Sequence, residues 1–174
     1  MAKTKIVLDA DVLIHFSKSG YLAVLPQIFK EYDCIVLSKV YDECKTLKVE
    51  IDNICFLLKT MTVVPFSPSG EMLREYALLT EKFGSGESAC MAYCKFNHDV
   101  VGSSNLRDIK DYCTANDITY LTTLDFFYYA WQRSVISESD IDNSLESLIG
   151  LDLFHNLNDA VENEVEAQGV KKHW

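Results

Sequence analysis

The sequence predicts an α/β fold, a three-layer α/β/α sandwich around a central, mostly parallel sheet of four to five strands. Short apolar runs of strand length alternate with stretches whose apolar residues recur at helical spacing, and parallel strands joined by helices need that alternation. The strand-like runs are also mostly apolar and do not alternate with polar residues, as suits strands covered on both faces. A chain of 174 residues is the size of one domain, and with 48% hydrophobic residues it buries a core without disulfides.

Lys5-Ile6-Val7-Leu8 reads as the first strand and ends in Asp9, with a short helix over Val12 to Ser17 closed at Ser19-Gly20. Asp11 is expected to cap that helix. A second helix is expected from Tyr21 to Lys30, then a strand over Cys34-Ile35-Val36-Leu37. Ser38 stands as the N-cap of a long helix reaching Thr60, with Val40, Cys44, Leu47, Ile51, Ile54, Cys55 and Leu58 forming one apolar stripe. Met61 to Val64 is the third strand, ended by Pro65, and a helix over Glu71 to Lys82 follows.

Gly84-Ser85-Gly86 is a joint before a helix over Glu87 to Phe96. Asp99 to Gly102 is the fourth strand, with Ser103-Ser104-Asn105 capping a helix to Ala115, and Ile118 to Leu121 is the fifth. Helices over Leu124 to Arg133 and over Asp140 to Ile149, the second capped by Ser139, complete a domain of residues 1–150. Residues 151–174 read as an acidic C-terminal helix or tail, with Asp159, Glu162, Glu164 and Glu166 beside Leu151, Leu153, Leu157, Val161 and Val165.

No apolar run approaches the roughly 20 residues of a membrane helix. No secretory signal opens the chain, so a cytoplasmic location is the expectation. The net charge of −10 argues against a nucleic-acid binder of the basic-face kind. It leaves room for a nuclease whose metal ions supply the positive charge locally. Cys90 and Cys94 share a helix face and suit either two zinc ligands or the core; as small apolar residues they are expected in the core.

Ligands of parallel sheets bind beyond the carboxyl ends of the strands. Asp9 ends the first strand, and Glu43 lies in the helix after the second. Glu87 opens the helix after the glycine joint, and Asn105 and Asp108 occupy the first turns after the fourth strand. Four carboxylates from separate segments at one edge repel one another unless cations neutralise them, and hard oxygen ligands select Mg²⁺ or Mn²⁺. Each acid alone has a plainer explanation as a cap, a first-turn residue or a solvated helix residue; their order and spacing carry the prediction.

The same residues resemble the motifs of the PIN-domain family. Ile6-Val7-Leu8-Asp9-Ala10-Asp11-Val12-Leu13-Ile14 is similar to its opening strand and acid, and Ser38-Lys39-Val40-Tyr41-Asp42-Glu43 to its second motif. Gly84-Ser85-Gly86-Glu87-Ser88-Ala89 is similar to the Gly-x-Gly-Glu segment of one branch, and Ser103-Ser104-Asn105-Leu106-Arg107-Asp108-Ile109 to the closing motif. The resemblance covers residues 5 to about 135. It implies a metal-dependent endoribonuclease with Asp9, Glu43, Glu87 and Asp108 as the metal-binding quartet. Asn105 would orient a ligand or water, and Ser103 or Ser104 would position the site.

The resemblance extends to toxins of bacterial toxin–antitoxin pairs (the VapC-like type), which implies an RNA substrate, an antitoxin or other protein partner and a homodimer. The chain departs from the pattern in three places, one of them the acidic tail after Gly150, which lies outside the resemblance. Asp11 stands where Asn or Ser is usual, and Ser104 and Asn105 stand where an Asp often follows the fourth strand.

Two rival readings use the same residues. Asp9-Ala10-Asp11-Val12 also fits the Asp-x-Asp signature of haloacid-dehalogenase-type phosphatases, although Gly102-Ser103-Ser104 lacks their acid and Glu43 and Glu87 stay idle. The other reading is a PIN-type scaffold that binds a partner without cutting, which the acidic tail and net charge favour.

Overall fold

The computed structural model describes residues 3–149 of the chain. The expected acidic tail at 151–174 lies outside the described residues. The sheet has five strands, β1 (Lys5–Leu8), β2 (Asp33–Leu37), β3 (Met61–Val64), β4 (Val100–Gly102) and β5 (Tyr120–Leu121), in the order β3-β2-β1-β4-β5. All four pairings are parallel, with Ile6 beside Cys34 on one side and Val100 on the other. The expected α/β sandwich is therefore present, with every strand parallel. Chain order runs outward from β1 in one direction and then returns to its other side. That reversal opens a crevice between the carboxyl ends of β1 and β4.

Past their first residues, Lys5 and Asp33, the central strands β1 and β2 are apolar because both faces are covered: Ile6, Val7, Leu8, Val36 and Leu37 are fully buried. Helices α1 (Ala10–Lys18), α2 (Ser38–Glu43), α3 (Lys48–Asn53), α4 (Gly70–Thr80), α5 (Ser85–Asn97), α6 (Leu106–Ala115), α7 (Thr123–Gln132) and α8 (Glu138–Ile149) flank the sheet. Phe16 stacks on Phe127 at 4.5 Å between ring centroids and meets Phe126 edge-on, locking α1 to α7. Cys90 and Cys94 lie buried on α5 in the core, as small apolar residues do. No helix among the described residues is long and apolar enough to cross a membrane.

Several expected elements change. The helix expected over Tyr21 to Lys30 reduces to a 3-10 turn at Leu25–Gln27, because Pro26 removes an amide donor from the middle of the segment. The long helix expected from Ser38 to Thr60 is broken after Glu43. Cys44 leaves helical geometry at ψ 49°, and α3 is followed by a π-helical turn at Ile54–Leu58. The break lets Cys44 and Leu47 both remain buried while α2 stops beside α5. The π-turn presents Phe56, Leu57 and Leu58 to solvent.

Capping differs as well. Ser38 does not cap α2; its hydroxyl accepts from the Phe66 amide at 3.0 Å. Asp9, not Asp11, is the N-cap of α1, and the hydroxyl of Ser137 rather than Ser139 accepts from the Asp140 amide at 3.3 Å. Thr122 and Asp125 form a reciprocal capping box that starts α7 one residue earlier than expected.

Candidate metal centre

The two backbone turns that leave β1 and β4 lie side by side. The Asp9 amide donates to the Gly102 carbonyl at 2.8 Å, and the Ser103 amide to the Leu121 carbonyl at 3.0 Å, so the parallel ladder runs on to the first candidate residues. A side chain on Gly102 would press on Leu8 and Phe126, so glycine permits the close approach that brings the turns together. Asp9 is buried there, its Oδ1 accepting from the Ala10 amide at 2.8 Å and its Oδ2 3.4 Å from the Ser103 hydroxyl.

Asp11 crosses the crevice. Its Oδ2 accepts from the Ser104 amide at 2.7 Å and from the Ser103 hydroxyl at 3.2 Å, while its Oδ1 accepts from the Val12 amide at 2.6 Å. Three donors fix this carboxylate, which ties the β1 turn to the β4 turn. Behind it the Ser104 hydroxyl donates to Thr123 Oγ1 at 2.6 Å and accepts from the Thr123 amide at 2.7 Å. Thr123 Oγ1 lies 2.9 Å from His15 Nδ1. A hydroxyl that already accepts from Ser104 has its own proton to give to that nitrogen, and burial holds His15 below its usual pKa in the neutral form this needs.

Glu87 sits in the first turn of α5, buried, with Oε1 lacking any hydrogen-bond partner among the described residues. Asn105 donates to Asp108 Oδ2 at 2.8 Å and also hydrogen-bonds Glu87, so it links these two acids instead of standing clear. Glu43 arrives from the end of α2. Its Oε1 accepts from the Ser85 hydroxyl at 2.7 Å and the Gly86 amide at 2.8 Å. Ser85, Gly86, Thr123 and His15 are thus the supporting residues that sequence reasoning passed over. Only the glycine left a signal, since a Cβ at Gly86 would collide with the Glu43 carboxylate.

The electrostatics record one shared site. Burial first, then Asp11, Glu87 and Glu43, push the Asp9 carboxyl up to about 8, against the Ala10 amide. Burial, then Asp108, Asp11 and Glu43, push Glu87 up to about 7, against the hydrogen bond from Asn105. Asp11 is raised by burial, opposed mainly by the amides of Ser104 and Val12. The five acids therefore gather at the crevice, each within Coulombic reach of others. Among the described residues, however, no three His, Cys, Asp or Glu side chains stand close enough to cage a metal ion as they are.

No protein-family model matches this chain, and no curated protein matches its sequence.

A divalent cation nevertheless suits this donor set. The oxygens are hard, as Mg²⁺ and Mn²⁺ prefer. Glu87 Oε1 is a buried acceptor with nothing to accept from, which costs about 1–3 kcal/mol in a folded protein and which a cation would relieve. Burial first, and then the uncompensated charge of the neighbouring acids, keep Asp9 and Glu87 protonated near neutral pH, and an ion would supply the missing positive charge. Asp9, Glu87, Asp108 and the free oxygen of Glu43 are the groups that would hold it; Asp11, already met by three donors, positions the others.

Proposed function

We propose that this chain is a PIN-type endoribonuclease that hydrolyses RNA phosphodiesters with Mg²⁺ or Mn²⁺. The observation that carries the reading is the gathering of Asp9, Asp11, Glu43, Glu87 and Asp108 at the crevice between β1 and β4, where parallel sheets bind ligands. A bound divalent ion supplies positive charge for the phosphate and lowers the pKa of an attacking water. The chain's own residues do the rest. Asp9, at the rigid sheet edge, and Glu87 would hold the ion, and Asp108 with Asn105 would complete the rim. The Asp11 bridge keeps the two turns from separating under the mutual repulsion of the acids. Within the same reading the chain is the toxin of a toxin–antitoxin pair, working as a homodimer whose partner protein closes the crevice.

The test is cleavage of a mixed RNA pool with Mn²⁺ by wild type, Asp9→Asn and Glu87→Gln. Wild type cuts, and each variant loses on the order of 100-fold or more in rate. Equal cleavage by all three would mean a contaminating nuclease and overturn the assignment.

One observation favours a second reading, a PIN-type scaffold that binds a partner without cutting. Glu43 Oε1 is already satisfied by Ser85 and Gly86, so the acids do not form a ready cage. An RNA pool left intact by wild type, with millimolar Mn²⁺ still raising its melting temperature, would select this reading. Release of phosphate from a small phosphomonoester, lost in Asp9→Asn, would instead select a phosphatase.

A further inference from the structure

The other end of the sheet, where the strands begin, has the opposite character. A cavity of about 550 Å³ opens there among the starts of β1, β2 and β3 and the 3-10 turn at Leu25–Gln27. Its volume is in the range of small-molecule sites. Four lysines contribute to its lining, Lys3, Lys5, Lys30 and Lys59, against a single acidic residue, Asp33. In a chain of net charge −10 such a concentration of cations is locally exceptional.

The four lysines are not equivalent. Lys3 Nζ is 2.8 Å from Asp33 and Lys5 Nζ is 3.6 Å from Asp99, so these two are partly neutralised. Lys30 and Lys59 have no acidic partner among the described residues. Lys59 is also held at φ 56°, a left-handed conformation that a lysine adopts only at a cost. It caps the π-helical turn at the cavity's rim. Beside it the hydroxyl of Thr60 is buried and has no hydrogen-bond partner among the described residues. Pro26, Tyr32, Cys34, Ile35 and Val64 add apolar and aromatic lining, with Gln27 and Thr62 as further polar residues.

We propose that this cavity is a binding site for a phosphate-bearing small molecule, of the size and chemistry of a nucleoside monophosphate. The phosphate oxygens accept from Lys30 and Lys59, and the nucleoside lies against the apolar and aromatic part of the wall. Two ammonium groups without counter-charge are donors for an anionic acceptor, and charge-assisted bonds of this kind are the strong ones. The site is at the opposite sheet edge from the acid cluster and does not depend on that cluster's chemistry.

The test is calorimetric titration of the full chain with inorganic phosphate and with nucleoside 5′-monophosphates. A chelator in constant ionic strength prevents any metal-bridged binding at the acid edge. Saturable nucleotide binding, weakened at least about tenfold in Lys30→Gln/Lys59→Gln and unchanged in Asp9→Asn, is expected. Thr60→Val leaves it unchanged, because that hydroxyl is closed off from the cavity. Phosphate alone binds more weakly than the nucleotide if the apolar wall is used; equal binding confines the site to the phosphate group and overturns the nucleoside part. No saturable binding, or undiminished binding by the double-lysine variant, overturns the proposal. Both lysines are exposed, so their replacement does not threaten the fold.

Discussion

Asp9 serves two ends that oppose each other. As the N-cap of α1 it needs a carbonyl-type oxygen for the Ala10 amide, which an asparagine would supply equally well. As a buried acid among Asp11, Glu87 and Glu43 it holds charge where the fold would rather have none. Asp9→Asn should therefore stabilise the metal-free protein, by about 1–2 kcal/mol near pH 8, while removing the stabilisation that Mn²⁺ gives wild type. Denaturant melts with and without the ion check both halves; a destabilised variant would mean that the charge is compensated in a way the hydrogen bonds do not reveal. The sign of the pH dependence follows from the same shift. Folded Asp9 keeps its proton up to about 8, whereas the unfolded chain loses it near 3.8; Glu87 likewise moves from 4.5 to about 7. The folded state binds more protons across that window, so stability is greatest below about pH 4 for these groups and falls as pH rises to about 8. Thermal melts in chelator across that range should show the fall, and it should be much smaller in the doubly substituted Asp9→Asn/Glu87→Gln.

At the scale of elements, the acids were legible in the sequence because strand ends and first helical turns are local features: Asp9 ends an apolar run, and Glu87 and Asp108 fall in first turns of helices. The sheet was legible for the same reason. The interruption after Glu43 was not, since Val40, Cys44, Leu47 and Ile51 keep helical spacing straight across it. What ends α2 is tertiary: Glu43 is captured by Ser85 and Gly86, 42 and 43 residues away in sequence. Nor could local reasoning assign Asp11, whose donors Ser103 and Ser104 come from the far side of the crevice. The α2–α5 junction can be tested at Gly86. An alanine there would gain about 1 kcal/mol of helix propensity in α5 if the position were open. Its Cβ instead meets the Glu43 carboxylate and lies 3.2 Å from Val40 Cγ2, and Glu43 cannot yield without losing both donors. Gly86→Ala should destabilise by about 1–3 kcal/mol and weaken Mn²⁺ binding, read from denaturant melts and metal titration. A neutral or stabilising effect would show that Glu43 has another rotamer ready, and that its role at the site is dispensable.

Across the whole molecule, the parallel sheet separates charge. Strand starts gather Lys3, Lys5, Lys30 and Lys59, and strand ends gather Asp9, Asp11, Glu43, Glu87 and Asp108. The acids hang on the end of the central strand β1 and on α1, α2, α5 and α6, so an ion that draws them together ties the sheet to four of its helices. Metal binding should then act on global stability rather than on a local loop, and it should be coupled to protons. With Asp9 at about 8 and Glu87 at about 7, an ion binding at pH 6 must displace protons that are already absent above pH 8.5. The affinity for Mn²⁺ should rise with pH by up to about tenfold per unit for each proton displaced, levelling off once both carboxyls are ionised. Isothermal titration in buffers of different ionisation enthalpy measures this directly. At pH 6 the apparent heat should depend on the buffer, through released protons, and at pH 8.5 that dependence should largely vanish. A buffer-independent heat at pH 6, with unchanged affinity, would mean that the ion does not engage Asp9 and Glu87. The raised carboxyls would then be an unrelieved cost at the centre of the fold, and the partner-binding reading would gain over the nuclease.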